Sequence, residues 1–239
     1  MIKEDRNAAW KLWETITKDR PEFGKPESFT SHTNLSAYNT FTVTCNKENR
    51  FLEKLERYTR NKPGTGGLIT FKDSNWLISI SVPHQPCFHN QPEGITIFCG
   101  YGLSANEKGN YVKKKMIDCS GTELLTELLY HLCMDNYLDK MIETSTCIPF
   151  LLPYGLSQFM PHATHDRPQV RPKGYFNIAF ASQFAHIEDG ASFTMEYPIR
   201  CAMKAVYSFM NISEDKIPPY YDSETSLPIL FKTIKSTMQ

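Results

Sequence analysis

Between Pro149 and Gly174 the chain places prolines at 149, 153, 161, 168 and 172. Proline lacks an N–H and has a fixed φ, so neither a helix interior nor a central strand tolerates it. A loop is therefore expected through this stretch. Long irregular segments inside a compact domain tend to be either functional or disordered, and Phe150, Tyr154 and Phe159 argue against disorder.

Around that stretch the hydrophobic pattern changes period several times. Residues 4–19 put Ala9, Leu12, Trp13 and Ile16 at helical spacing, and Asp19 to Pro26 reads as the loop that ends this helix. Thr40 to Cys45 alternates β-branched and aromatic residues as a strand does. Phe51, Leu52, Leu55 and Tyr58 form a stripe on a short helix from Glu48 to Arg60. Leu68–Phe71, Trp76–Val82 and Ile95–Tyr101 read as strands, with Lys72 to Asn75 as the hairpin connection between the first two. Ser120-Gly121-Thr122-Glu123 has the form of a capping box before Leu124, Leu125, Leu128 and Leu129, and a short helix is expected over Asn136 to Glu143. Tyr175 to Ala181 reads as a buried strand. A final helix, starting near Ser192 and Thr194, sets Ile199, Ala202, Met203, Val206, Phe209 and Met210 on one face. The fold class that follows is α+β, a mixed β-sheet with packed helices, with no regular βαβ alternation.

The charge balance removes one function class. With 26 basic and 26 acidic side chains there is no general electrostatic attraction to phosphate backbones, so no nucleic-acid partner is expected. The longest apolar run, Cys147 to Tyr154, is far shorter than the ~20 residues that span a bilayer. The first ten residues are polar where a signal peptide needs an apolar segment. Seven cysteines, an odd number at wide spacing, read as reduced, mostly buried thiols in a cytoplasmic protein rather than as a disulfide framework.

Common catalytic motifs (G-x-G-x-x-G, the P-loop, H-E-x-x-H and G-x-S-x-G) are absent. Gly64-Thr65-Gly66-Gly67 reads as a turn. His84, Cys87 and His89, with His162 and His165, offer nitrogen and sulfur ligands but not the paired spacing of a structural zinc site, so no metal is expected. The basic stretch Lys108 to Lys115 is suited to an acidic partner or a membrane surface, but reads better as a solvated strand edge guarded by lysines. The most suggestive arrangement is the strand Tyr175–Ala181, the turn Ser182-Gln183-Phe184 and the helix after it. A helix N-terminus behind a strand presents free N–H groups to an anion or to the electron-rich edge of a flavin.

Several segments resemble the C-terminal part of the oleate hydratases, the fatty-acid double-bond hydratases also called myosin-cross-reactive antigens. Trp10 to Gly24 resembles that family's W-x-x-W segment, Gly66 to Leu77 its strand hairpin, and Tyr101 to Met116 its Y-G-L…G-N-Y-V-K-K-P-M. Glu127 to Leu132, Ser157 to Pro161, Asp166-Arg167-Pro168, Gln183-Phe184 and Phe193 to Ala202 follow in the family's order, so the likeness runs from about residue 10 to 210. It implies part of a two-domain FAD flavoprotein lacking the N-terminal dinucleotide-binding half, acting on the cis double bond of an unsaturated fatty acid. It also implies that the family's catalytic glutamate and tyrosine lie upstream of these residues, leaving no catalytic residue to assign here.

By this resemblance Ser157, Gln158, Ser182, Gln183, Phe184, Phe193 and Thr194 are the candidates near FAD, and Ser81 and His84 those near the fatty-acid headgroup. The implied organisation is a substrate-binding sheet region over 1–115, a helical segment over 116–148, a flavin-facing loop, strand and helix over 149–212, and a tail over 213–239. The resemblance leaves a homodimer and peripheral membrane contact open. Three departures stand out. The family's T-x-N-x-x-x-H falls on Ser81, Pro83 and Cys87, its G-Q-F is Ser182-Gln183-Phe184, and its arginine after M-P is His162. An alternative reading is therefore a non-catalytic fatty-acid- or partner-binding relic of that family.

Overall fold

The computed structural model describes residues 7–218 apart from 66, 189, 191 and 193, with the side chains of 7–9 also left aside. Phe193, Gly66 and most of the expected tail therefore lie outside the described residues. The described residues divide into two compact units, one of 32–157 and the other of 7–31 with 158–218.

The first unit is an α+β fold on one five-stranded sheet. Its strands are β1 (Tyr38–Cys45), β2 (Leu68–Thr70), β3 (Ile78–Ser81), β4 (Thr96–Gly102) and β5 (Ser145–Leu152), in the order β2-β3-β4-β1-β5 and antiparallel throughout. Strand alternation sends Phe41, Val43, Cys45, Ile78, Ile80 and Phe98 to one side. There, beyond the short α3 (Thr33–Ser36) that leads into β1, they meet Phe51, Leu52 and Leu55 of α4 (Phe51–Thr59), the leucines of α5 (Gly121–His131) and Met141 of α6 (Leu138–Thr144). The box at the start of α5 forms as its spacing implies. Ser120 Oγ accepts from the Glu123 N–H at 3.3 Å and Glu123 Oε2 from the Ser120 N–H at 2.8 Å.

β5 is a strand that the sequence reading gave partly to apolar run and partly to loop. Pro149 stands inside it opposite Phe41. The sheet order explains why it is tolerated, because β5 is an edge strand and only one of its sides has a ladder to disrupt.

The opposite side of the sheet has a composition of its own. Successive rows across it are Thr70, Ser79, Tyr101, Thr40 and Phe150, then Leu68, Ser81, Cys99, Thr42 and Ile148, then Ile97, Thr44 and Thr146. The middle row is exposed on every strand.

The basic stretch is not a strand edge. It is a loop folded over α5, closed by a single bridge between Lys108 and Lys115. Glu127, fully buried on α5, accepts the N–H groups of Asn110 at 2.6 Å, Tyr111 at 2.9 Å and Val112 at 2.7 Å. Lys114 turns back to Glu123 at 2.9 Å.

The second unit carries α1 (Asn7–Thr17), the short α2 (Glu27–Thr30) and α7 (Glu196–Phe209). Two expectations fail here. Tyr175 to Ala181 is irregular rather than a strand, with Phe176 80% exposed, because the segment folds locally, the Phe180 N–H donating to Val170 O at 2.8 Å. The stretch expected to hold a loop, strand and helix is thus a loop and helix. α7 is capped by Met195 with no side-chain hydrogen bond, not by Ser192 or Thr194, and buries Tyr197, Cys201 and Ala205 instead of the expected stripe. Those three pack with Val170, Ala185 and Ile187.

All seven cysteines are free thiols. Only Cys45, Cys119 and Cys201 are buried, fewer than expected. Burial pushes the thiol pKa of Cys45 up to about 12 and of Cys119 up to about 11, which suits apolar filler rather than nucleophiles.

Candidate functional site

In the second unit most of the expected flavin-side residues gather around a buried arginine. Arg167 is 7% exposed, and its guanidinium lies 5.5 Å from the centre of the Phe29 ring. Its Nε donates to His162 Nε2 at 2.9 Å, one terminal nitrogen to Gln158 O at 3.1 Å and the other to Gln183 O. Two stretches, 158–162 and the turn at Gln183, are thereby held by one planar group with several fixed donors. All three acceptors are uncharged, and among the described residues no carboxylate pairs with Arg167. Burial pulls its pKa below the ordinary arginine value.

His162 also has its Nδ1 2.6 Å from Met160 O. With Nε2 accepting from Arg167, Nδ1 carries the proton. The ring thus links the Met160 carbonyl to the guanidinium.

Next to this cluster is an apolar cleft of about 200 Å³, lined by Trp10, Leu12, Trp13, Ile16, Pro168, Phe180, Ser182 and Phe184. The i, i+3 spacing of Trp10 and Trp13 puts both indoles on one side of α1. Their rings lie 5.1 Å and 6.0 Å from that of Phe184, which in turn is 5.3 Å from Phe29. Ser182 Oγ accepts the Phe184 N–H at 3.1 Å and so shapes the turn before it presents a hydroxyl to the cleft. Thr194 is half-buried just ahead of α7.

A strap fixes the loop between α1 and α2. Asp166 is 6% exposed and accepts the Ala163 N–H and the Ser28 hydroxyl, each at 2.9 Å, with Lys25 Nζ at 3.5 Å. Burial works against its charged form, but these partners outweigh it and hold the carboxyl below the usual carboxylate range. A depressed folded pKa stabilises above the unfolded value of about 3.9 and is lost as pH falls through the folded one. Asp166→Asn should therefore lower the urea midpoint at pH 7, with the gap to wild type closing below about pH 4. A gap of constant size from pH 7 to 3 would show that charge plays no part in the strap.

The headgroup candidates lie in the first unit. Ser81 ends β3 in the exposed middle row of the sheet, and His84 is exposed in the loop that follows. Glutamines, not histidines, order that loop. Gln85 Oε1 accepts from the Ile97 N–H and from Gln91 Nε2, each at 3.0 Å, while Gln91 Oε1 accepts the Cys87 N–H at 2.9 Å. Ser157 is fully buried in this unit with Oγ unpartnered. Among the described residues no group of three or more His, Cys, Asp or Glu could hold a metal ion, and no helix is long and apolar enough to cross a membrane.

The sequence reading missed Arg167, Trp10, Trp13 and Phe29 as site residues. The tryptophan pair had a legible signal in its spacing. Arg167 stood inside the matched Asp166-Arg167-Pro168 segment, but nothing in that segment marked it as buried.

A family model described as MCRA family matches residues 1–207. Among curated proteins, the oleate hydratase of Streptococcus pyogenes serotype M49 (strain NZ131) is 38% identical over 237 residues, 94% of this chain and 39% of its own length. The linoleate hydratase of Lactiplantibacillus plantarum is 30% identical over 239 residues, 92% of this chain and 42% of its own length. The chain thus spans about two fifths of the relatives it matches.

Proposed function

Since this chain belongs to the MCRA family, we propose that it forms the cleft-bearing portion of an FAD-dependent fatty-acid hydratase, which adds water across the cis double bond of an unsaturated fatty acid. The observation that carries this reading is the cleft itself, in which Ser182 supplies a lone hydroxyl among seven apolar residues. Its 200 Å³ is below the roughly 300 Å³ at which whole-ligand pockets begin, so it suits a stretch of acyl chain rather than a complete molecule. Each methylene buried there contributes about 0.8 kcal/mol.

The chain's residues fit one edge of a flavin. Ser182 and Phe184 border the cleft, and Arg167 holds the Gln183 and Gln158 carbonyls together beside it. Thr194 precedes α7 in the same unit. Among the described residues no glycine-rich turn runs into a helix to cradle a pyrophosphate, so the dinucleotide end has no holder here. When bound, FAD organises the site and helps activate water without net oxidation. The chain's own work is to exclude water from the alkyl chain and to orient it, and protonating the alkene needs an acid from elsewhere.

Oleate titrated into the purified chain should change tryptophan emission saturably through Trp10 and Trp13, while fully buried Trp76 contributes a constant background. Ile16→Asp should abolish the change. Mass spectrometry should find no hydroxy fatty acid formed by the chain alone. No saturable change would overturn the cleft as an acyl site, and a hydrated product would overturn the assignment of the acid to polypeptide outside this chain.

A further inference from the structure

A second cavity, of about 260 Å³, lies in the same unit as the apolar cleft and shares no lining residue with it. Three permanent cations line it, Arg171, Lys173 and Lys204, together with His186 and Ser208. Among the described residues Glu214 is the one carboxylate in its lining. An excess of two positive charges thus faces one small space, in a chain whose net charge is zero. Like charges gathered around a concavity repel one another and raise the potential inside it.

The backbone holds these groups in place. Arg171 and Lys173 flank Pro172, which is buried and fixed in φ, in a turn closed by the Tyr175 N–H on Pro172 O at 3.2 Å. Arg171 is half-buried, its guanidinium 5.7 Å from the ring centres of both Phe176 and Phe209. Its Nε donates to Tyr175 O at 3.3 Å, and Nη1 to Ser208 O at 3.1 Å and Ser208 Oγ at 2.8 Å. The His186 N–H donates to Pro168 O at 2.7 Å, which sets that residue against the turn. Lys204, one helical turn before Ser208 on α7, reaches Glu214 at 3.1 Å.

Holding a carbonyl in the last turn of α7 accounts for one edge of Arg171. It leaves the rest unexplained. Arg171 Nη2, the Lys173 ammonium and the His186 ring have no hydrogen-bond or ion-pair partner among the described residues.

We propose that this cavity binds the phosphate group of a small phosphate monoester. The dianion matches the excess charge, and its three terminal oxygens can accept from Arg171 Nη2, the two ammoniums and the Ser208 hydroxyl. The cavity is smaller than the roughly 300 Å³ at which whole-ligand pockets begin, so the phosphate enters and the organic part stays outside. The inference rests on this cavity alone and is independent of the acyl cleft.

The probes are inorganic phosphate and glycerol 3-phosphate, titrated with the full chain at low ionic strength and about pH 8, where the dianion dominates. Saturable broadening of the phosphorus NMR line is expected. Lys173→Glu should weaken binding about tenfold, and Glu214→Gln should tighten it roughly threefold by freeing Lys204. Both positions are exposed, so the urea midpoint should not move. Lys108→Glu makes the same change of net charge in the other unit and should leave binding as it was. Vesicles containing phosphatidic acid identify the source. Displacement of glycerol 3-phosphate by them supports the site with a lipid headgroup as ligand, and no displacement supports it with a soluble ester. Absence of saturable broadening, indifference to Lys173→Glu, weaker binding by Glu214→Gln, or equal loss in Lys108→Glu would each overturn the proposal.

Discussion

Glu127→Gln is expected to lower the stability of the His32–Ser157 unit by about 3 kcal/mol, in line with losing charge-assisted hydrogen bonds in a dry site. Both carboxylate oxygens are in use. Oε1 takes the Asn110 N–H, and Oε2 takes those of Tyr111 and Val112. A glutamine keeps only one of these oxygens. Its amide nitrogen must then face at least one backbone N–H, donor against donor, at a fully buried position. Gly109 closes off an easy adjustment, since a Cβ there would already lie 2.8 Å from Glu127 Oε2 and 2.8 Å from the Trp76 ring. The loop cannot shift inward to follow a rotated side chain. Glu123 on the same helix is the control. It is partly exposed, so Glu123→Gln should cost no more than about 1 kcal/mol for its capping contact and ion pair with Lys114. Urea denaturation of the two variants side by side makes the comparison, and equal midpoints would refute the claim that the loop is built on Glu127.

Gly121→Ala should also destabilise this unit by about 3 kcal/mol, the upper end of the usual range for overpacking. Helix propensity predicts the opposite sign, because alanine in place of glycine normally gains roughly 0.5–1 kcal/mol. The reversal comes from one contact. A Cβ at Gly121 would lie 1.9 Å from the carbonyl oxygen of Cys147 and 2.8 Å from its carbonyl carbon. Both atoms belong to the backbone of β5, so no rotamer relieves the overlap. The start of α5 would have to lift from the sheet, loosening Leu124, Leu125 and Leu128 in a core where each is at most 2% exposed. A higher urea midpoint for this variant would show that α5 and β5 are not in the contact described.

Where the hydrophobic period was regular, the fold could be read directly. The strands Tyr38–Cys45 and Ile78–Ser81, the helices α4 and α5 and the Ser120 box all appear close to where pattern and capping chemistry put them. Local rules sufficed because those residues bury against neighbours that share their period. β5 was hidden by Pro149, whose tolerance depends on the strand lying at an edge, a fact of sheet order and not of composition. Tyr175 to Ala181 failed in the other direction, an apolar run with no partner strand to pair with.

The candidate site divides along the same line. Ser182, Gln183, Phe184 and Gln158 were singled out from a collinear resemblance, and the residue that ties their two stretches together, Arg167, was not. A buried cation among neutral acceptors leaves no periodicity, and the Asp166-Arg167-Pro168 match does not show what the arginine holds. It becomes visible only when the distances are known.

What the sequence determined alone was the α+β class, the family, and most helices and strands, because each follows from local spacing or from similarity spread along the chain. Tertiary structure decided the rest: that Glu127 holds a loop and Gly121 meets the backbone of β5, that two tryptophans line a cleft, and that the middle row on the outer side of the sheet is exposed and uncharged. Each of these depends on which distant residues meet, and chain order does not encode that until the backbone closes.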